Sequence, residues 1–268
     1  MNHYFGALKP KVDKRDYLVA AGASELPPTF AYTDLSPVKN QRSVSSCVAH
    51  ATAVILEMLN KTETGKFIPM STNFIYGMQG IEFNRLDKGM YLRDACKIVE
   101  KYGDAPEALV NGNTEQPKCT EELKETLTED IYNKAKTFRI LSYAKCKTDD
   151  DIKHALINYG PVLGSINWHK ECKFDSDGTV HFDKTSKHGR HAIVIYGYNE
   201  KGWLCQNSWG KNWNKGGRFI YPYEDGLNEA WSFVDANNDD IHIPKNNSLL
   251  DIFYKAFNFI INLFKGRG

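Results

Sequence analysis

Among the 268 residues are six cysteines, and one of them, Cys47, has a setting that suits nucleophilic chemistry. Cys47, Val48, Ala51, Val54, Ile55, Met58 and Leu59 recur at three- and four-residue spacing, which predicts a helix with a buried face. Ser45 or Ser46 is the expected N-cap, so the thiol falls in the first turn, where the helix dipole favours a thiolate. A thiolate works as an enzyme nucleophile when an imidazole shares its proton and a third group orients that ring. His191 opens an expected strand 144 residues downstream, and Asn207 follows 16 residues later in Gln206-Asn207-Ser208-Trp209-Gly210. A lone cysteine at a helix start is ordinarily a small buried residue. Here Gln41, His191 and Asn207 make it a candidate for catalysis.

The elements that must position these groups divide along the chain. Residues 1–25 mix charge with small residues and read as an arm or strap, and Leu26-Pro27-Pro28 forces an extended entry. After the Cys47 helix, further helices are expected at 71–79 with Ser71 as cap, at 90–102, within 120–135, and at 149–158, where Asp149 and Asp150 favour a helix start. Beyond Pro161 the texture turns to short β-branched or aromatic runs bounded by turn residues, at 162–166, 191–198, 202–206 and 218–221. Helices first and strands later predict an α+β protein, a helical lobe to about residue 145 against a β-rich lobe.

Three ordered motifs then carry a resemblance. Pro37-Val38-Lys39-Asn40-Gln41 followed by Ser46-Cys47, the run His191-Ala192-Ile193-Val194-Ile195-Tyr196-Gly197-Tyr198, and Asn207-Ser208-Trp209-Gly210 with Trp213 and Gly217 together resemble the papain (C1) family of cysteine peptidases. The texture is that of its compact bacterial and phage members, and the spacing agrees with the family's separation of cysteine from histidine and asparagine. The resemblance spans about residues 26–235. It implies a two-lobe fold with the active site in the cleft between the lobes, and cleavage of a peptide or protein substrate without metal or cofactor. It also implies roles: Cys47 as nucleophile, His191 as base and acid, Asn207 as orienter, Gln41 with the Cys47 backbone N–H as oxyanion holder, Trp209 as cover for the His191–Asn207 bond, and Ser45 and Ser46 as part of the substrate groove.

The chain also departs from the family pattern. Val44 stands where a cysteine usually forms a disulfide, Ser45 and Arg42 replace glycines, Val48 replaces an aromatic residue, and His50 stands where an aromatic is usual. With only about 25 residues ahead of the expected catalytic region, a folded pro-domain is not expected. These features motivate a second reading, a catalytically weak scaffold acting as a binding or structural component of a larger assembly.

Composition excludes other classes. With 34 basic and 33 acidic residues the net charge is +1, which gives no basis for nucleic-acid capture. His188 and His191 sit three apart, but no second pair at suitable spacing supports a metal site. The six cysteines form no C-x-x-C pair and read as free thiols of a reducing compartment. No apolar run approaches the ~20 residues of a membrane span, and Met1-Asn2-His3-Tyr4-Phe5-Gly6 lacks a signal peptide's pattern, so a cytoplasmic or virion-associated protein is expected. After a polar linker at 237–247, residues 248–268 place Leu249, Phe253, Phe257, Ile260 and Phe264 on one helical stripe. This predicts an appended amphipathic helix that docks on a protein partner or a second copy, with a membrane surface as the lesser expectation.

Overall fold

The computed structural model describes residues 5–19, 25–85, 88–110 and 119–235. The expected linker and terminal helix at 237–268 lie outside these residues.

Helices dominate the first half: α1 (Cys47–Thr64), α2 (Thr72–Phe83), α3 (Leu92–Lys101), α4 (Cys119–Thr126) and α5 (Glu129–Lys136), preceded by the two-residue strand β1 (Phe30–Ala31). The second half holds β2 (Ile140–Cys146), α6 (Asp149–Asn158), β3 (Val162–His169), β4 (Cys172–Phe174), β5 (Val180–Phe182), β6 (His188–Asn199), β7 (Gly202–Gln206), β8 (Arg218–Pro222) and β9 (Glu229–Asp235). Among the described residues, seven strands make one antiparallel sheet in the order β2-β9-β3-β6-β7-β8, with β1 added against β6, while β4 and β5 form a separate ribbon. The expected α+β architecture, helices first and a largely antiparallel sheet after them, is the one observed.

The local chemistry explains most boundaries. Ser71 caps α2 by accepting from the Phe74 N–H at 3.0 Å. Thr148 and Asp151 form a reciprocal capping box at the start of α6, a stronger stop than the flanking Asp149 and Asp150 alone. The single helix expected within 120–135 is two, because Thr128 starts a new one by accepting from the Ile131 N–H. Ser46 occupies the cap position of α1, but its side chain makes no capping bond.

α1 is buried on every side from Cys47 to Asn60, as befits a helix that runs through the core. On β6, Ala192 and Val194 pack into the core around α1, whereas Ile193 and Ile195 join the core that α6 covers, the two-residue period of a strand. Glu57 lies inside this helix's core. Its carboxylate pairs with the Lys39 ammonium at 2.8 Å, accepts from the Met70 N–H at 2.8 Å and contacts the Ser36 hydroxyl. Lys39 also donates to the Met70 carbonyl and Glu107, so the segment leading to Gln41 is tied to the helical lobe.

Candidate active site

Each sequence-predicted group arrives on its own element. Cys47 begins α1, His191 sits within β6, Asn207 and Trp209 follow β7, and Gln41 precedes α1. Backbone bonds hold these segments together. The Gln41 N–H donates to the Ser208 carbonyl at 2.8 Å, the Gly210 N–H to the Lys39 carbonyl at 3.0 Å, and Asn40 bridges Trp209. The Ala192 N–H lies 3.4 Å from the Cys47 Sγ, which brings the histidine's strand against the nucleophile.

The imidazole is oriented from two directions. His191 Nε2 and Asn207 Oδ1 are 2.7 Å apart, and the same oxygen accepts the Ser208 N–H at 2.7 Å. An oxygen that accepts from both requires the ring proton on Nε2, leaving the lone pair on Nδ1. Trp209 stacks on the ring with centroids 4.6 Å apart, and Trp168 stands edge-on to both, at 4.8 Å from Trp209 and 6.0 Å from His191. Trp209 thus lies over the imidazole ring. β3 runs on past the expected 162–166 to His169, and the two-residue period puts Trp168 on the same face as Ile166, which brings it to the site.

Gln41 is buried, with its Nε2 donating to the Val44 carbonyl at 2.9 Å and its Oε1 accepting from the Ser208 hydroxyl at 2.6 Å. Ser208, also not singled out from sequence, therefore links the oxyanion candidate to the Asn207 turn. Of the two expected groove serines, Ser45 is half-buried, whereas Ser46 is buried with its hydroxyl 3.2 Å from His50 Nδ1. Arg42 is exposed and adopts a positive φ of 51°, the backbone state for which glycine is the easier residue. Among the described residues Cys47, Cys96, Cys146, Cys172 and Cys205 are free thiols.

Two site groups are shifted by burial. The Cys47 thiol is pushed up to about 11 by desolvation, against which the backbone N–H groups of Ala192, Gly6, Val48 and Ala7 pull. His50 is driven down to about 4, again by desolvation, with Lys39 adding to the effect and the Ser46 backbone opposing it. A base depressed in the folded state lends stability that is whole above its unfolded value and lost as pH falls through the folded one. Stability should therefore decline from about pH 6.5 towards 4 as His50 is forced to charge. His50→Phe removes that share, and thermal denaturation across this range should show a flatter acid limb for the variant than for the parent.

A cysteine at a helix start, a histidine on a strand beside an asparagine, and a glutamine amide before the cysteine thus meet on this α+β scaffold. The chain belongs to the papain family of cysteine proteases, whose profile matches residues 28–228. Among solved structures it is similar to xylellain, a cysteine protease from Xylella fastidiosa, with a TM-score of 0.74 and 23% identity over 86% of this chain and 96% of that one. It is also similar to digestive procathepsin L 3 of Tenebrio molitor larval midgut, with a TM-score of 0.68 and 18% identity over 84% and 76% of the two chains. At these identities the likeness is one of fold. An uncharacterized peptidase C1-like protein, L477, of Acanthamoeba polyphaga mimivirus is 27% identical over 98% of this chain and 96% of its own length. Cathepsin K of Mus musculus is 28% identical, and the chain spans 55% of its length.

Proposed function

We propose that this chain is a cysteine endopeptidase in which Cys47, His191, Asn207 and Gln41 carry the reaction. The observation that supports it most is the convergence of three distant segments on one sulfur and one imidazole, with His191 Nε2 on Asn207 and the neighbouring Ala192 N–H on Cys47. In this reading Cys47 Sγ passes its proton to His191 Nδ1 and attacks the scissile carbonyl carbon. The oxyanion is held by the Gln41 amide and the Cys47 backbone N–H. His191 returns the proton to the leaving amine, and water then hydrolyses the thioester by the same base, releasing the acid and restoring the thiol. Trp209 and Trp168 exclude water from the His191–Asn207 bond, which strengthens it.

The substrate is a peptide or protein, taken in an extended form along the cleft that holds Cys47. Among the described residues no helix is long and apolar enough to cross a membrane. The decisive experiment is hydrolysis of a mixed fluorogenic peptide library by the purified chain, with Cys47→Ala beside it; turnover that survives in the variant refutes the assignment. Gln41→Ala should lower kcat by about 10²–10³ with little change in KM, because an oxyanion donor acts on charge that develops only in the transition state. Steady-state kinetics on one cleaved peptide checks this.

A further inference from the structure

His50 is the departure near the nucleophile that the reaction leaves unused. It lies in the first turn of α1, three residues after Cys47, and it is buried. Its Nδ1 stands 3.0 Å from the Ser46 carbonyl oxygen and 3.2 Å from the Ser46 hydroxyl. A carbonyl oxygen only accepts, so the ring proton sits on Nδ1 and Nε2 carries the lone pair. Burial keeps the ring neutral: desolvation lowers it to about 4, Lys39 adds to this, and the Ser46 and Asn40 backbones oppose it. An apolar ring would fill the same place without that acceptor.

Beside His50 is a small cavity whose polar lining is completed by Lys39, Gln206, Asn207 and Ser208. It has room for about one water molecule. Three of these side chains are engaged elsewhere. Lys39, the charged group on the wall, is held by Glu57, Glu107 and the Met70 carbonyl. The Gln206 amide bonds to the Ser36 carbonyl and to Arg218, and the Ser208 hydroxyl donates to Gln41. Asn207 is different. It is 3% exposed, and its Nδ2 has no hydrogen-bond partner among the described residues. The other end of the amide is fully used, with Oδ1 2.7 Å from His191 Nε2 and accepting the Ser208 N–H at 2.7 Å. A buried N–H without a partner is costly, and a bound water is the usual remedy in a polar cavity.

We propose that His50 positions Asn207 through one bridging water in this cavity. The proposal rests on reading Asn207 as the orienter of His191. The water accepts from Asn207 Nδ2 and donates to His50 Nε2, so donors and acceptors run in one direction from amide to ring. An amide turned over by half a rotation would set Oδ1 towards the cavity and Nδ2 towards His191. The His191 proton would then move to Nδ1, and the nitrogen needed to take the Cys47 proton would no longer be free. The Ser208 N–H opposes that turn at one end of the amide, and the bridge opposes it at the other. His50 is thus a positioning residue that acts on the imidazole through Asn207.

The test reads the His191 ring directly and does not depend on peptide hydrolysis. The full chain carrying Cys47→Ala is labelled with nitrogen-15 histidine. Long-range proton–nitrogen NMR is recorded above the histidine titration range, where the ring is neutral. His191 is assigned by loss of its signals in His191→Ala. His50→Phe and His50→Leu both remove the acceptor, the first keeping the ring's bulk. Each should lower the ratio of Nε2–H to Nδ1–H His191 by about three- to tenfold, the effect of one hydrogen bond. His50→Gln, whose amide oxygen takes the place of the Nε2 lone pair, should restore the parent ratio. With Cys47 intact, kcat on a cleaved peptide should follow the Nε2–H fraction across these variants while KM stays constant. An unchanged ratio in both apolar variants overturns the proposal, as does a His50→Gln chain that matches them. A ratio that falls in the apolar variants and returns in His50→Gln, with no peptide hydrolysed by any chain, upholds the bridge and refutes the peptidase reading instead.

Discussion

Cys47→Ala and His191→Ala are each expected to lower kcat/KM on a cleaved peptide by on the order of 10⁴–10⁶, with the double variant no worse than either single one. The two groups act as one unit: without the imidazole the thiol keeps its proton, and without the sulfur the imidazole has nothing to activate. The burial that pushes Cys47 up to about 11 sharpens the dependence, since a desolvated thiol ionises only with a partner to take its proton. A residual rate in His191→Ala within tenfold of the parent would remove His191 from the mechanism.

Asn207→Ala is the second large effect, about 10²–10⁴ in kcat. Asn207 Oδ1 accepts from both His191 and the Ser208 N–H, and its removal frees the ring to rotate and to carry its proton on the wrong nitrogen. The loss falls on kcat more than KM, because orientation of the base matters only while a proton moves. Asn207 is also buried, so the variant loses about 1–3 kcal/mol of stability through the unsatisfied Ser208 N–H. Measuring kcat, KM and melting temperature together separates the two contributions: a KM rise with kcat preserved would mean that Asn207 shapes the groove and does not orient His191.

Much of the frame was legible in the sequence because it is written in local periodicity. The helix at Cys47, the Ser71 cap and the strand carrying His191 all follow from repeats of three to four or of two residues. The elements that escaped are those whose pattern is weak. β4 and β5 are three residues long, too short to show alternation, and β1 has two residues. β2 is an edge strand with mixed exposure, and its free side is taken by the arm at Tyr17 and Val19, so its residues show no clean inside and outside. The break between α4 and α5 hangs on one threonine bond at Thr128, a signal that a single acidic helical pattern conceals.

By itself, the sequence determined which residues have the chemistry and what local element each one sits on: a thiol at a helix start, an imidazole on a strand, an amide in a turn. Only the tertiary structure decided what those groups meet. The Cys47–Ala192 contact spans 145 residues and the Gln41–Ser208 bond 167, and the approach of Trp168 to His191 depends on how strand β3 registers against β6. The seating of Phe5 and Gly6 over Cys47 depends likewise on Ser45, Met90 and Gly189, which reach one place only when helices and sheet have packed. Backbone geometry propagates over a few residues along a chain, whereas contacts across a cleft are set by the packing of whole elements. The nucleophile could therefore be read from its neighbours in sequence, but the segment that covers it could not.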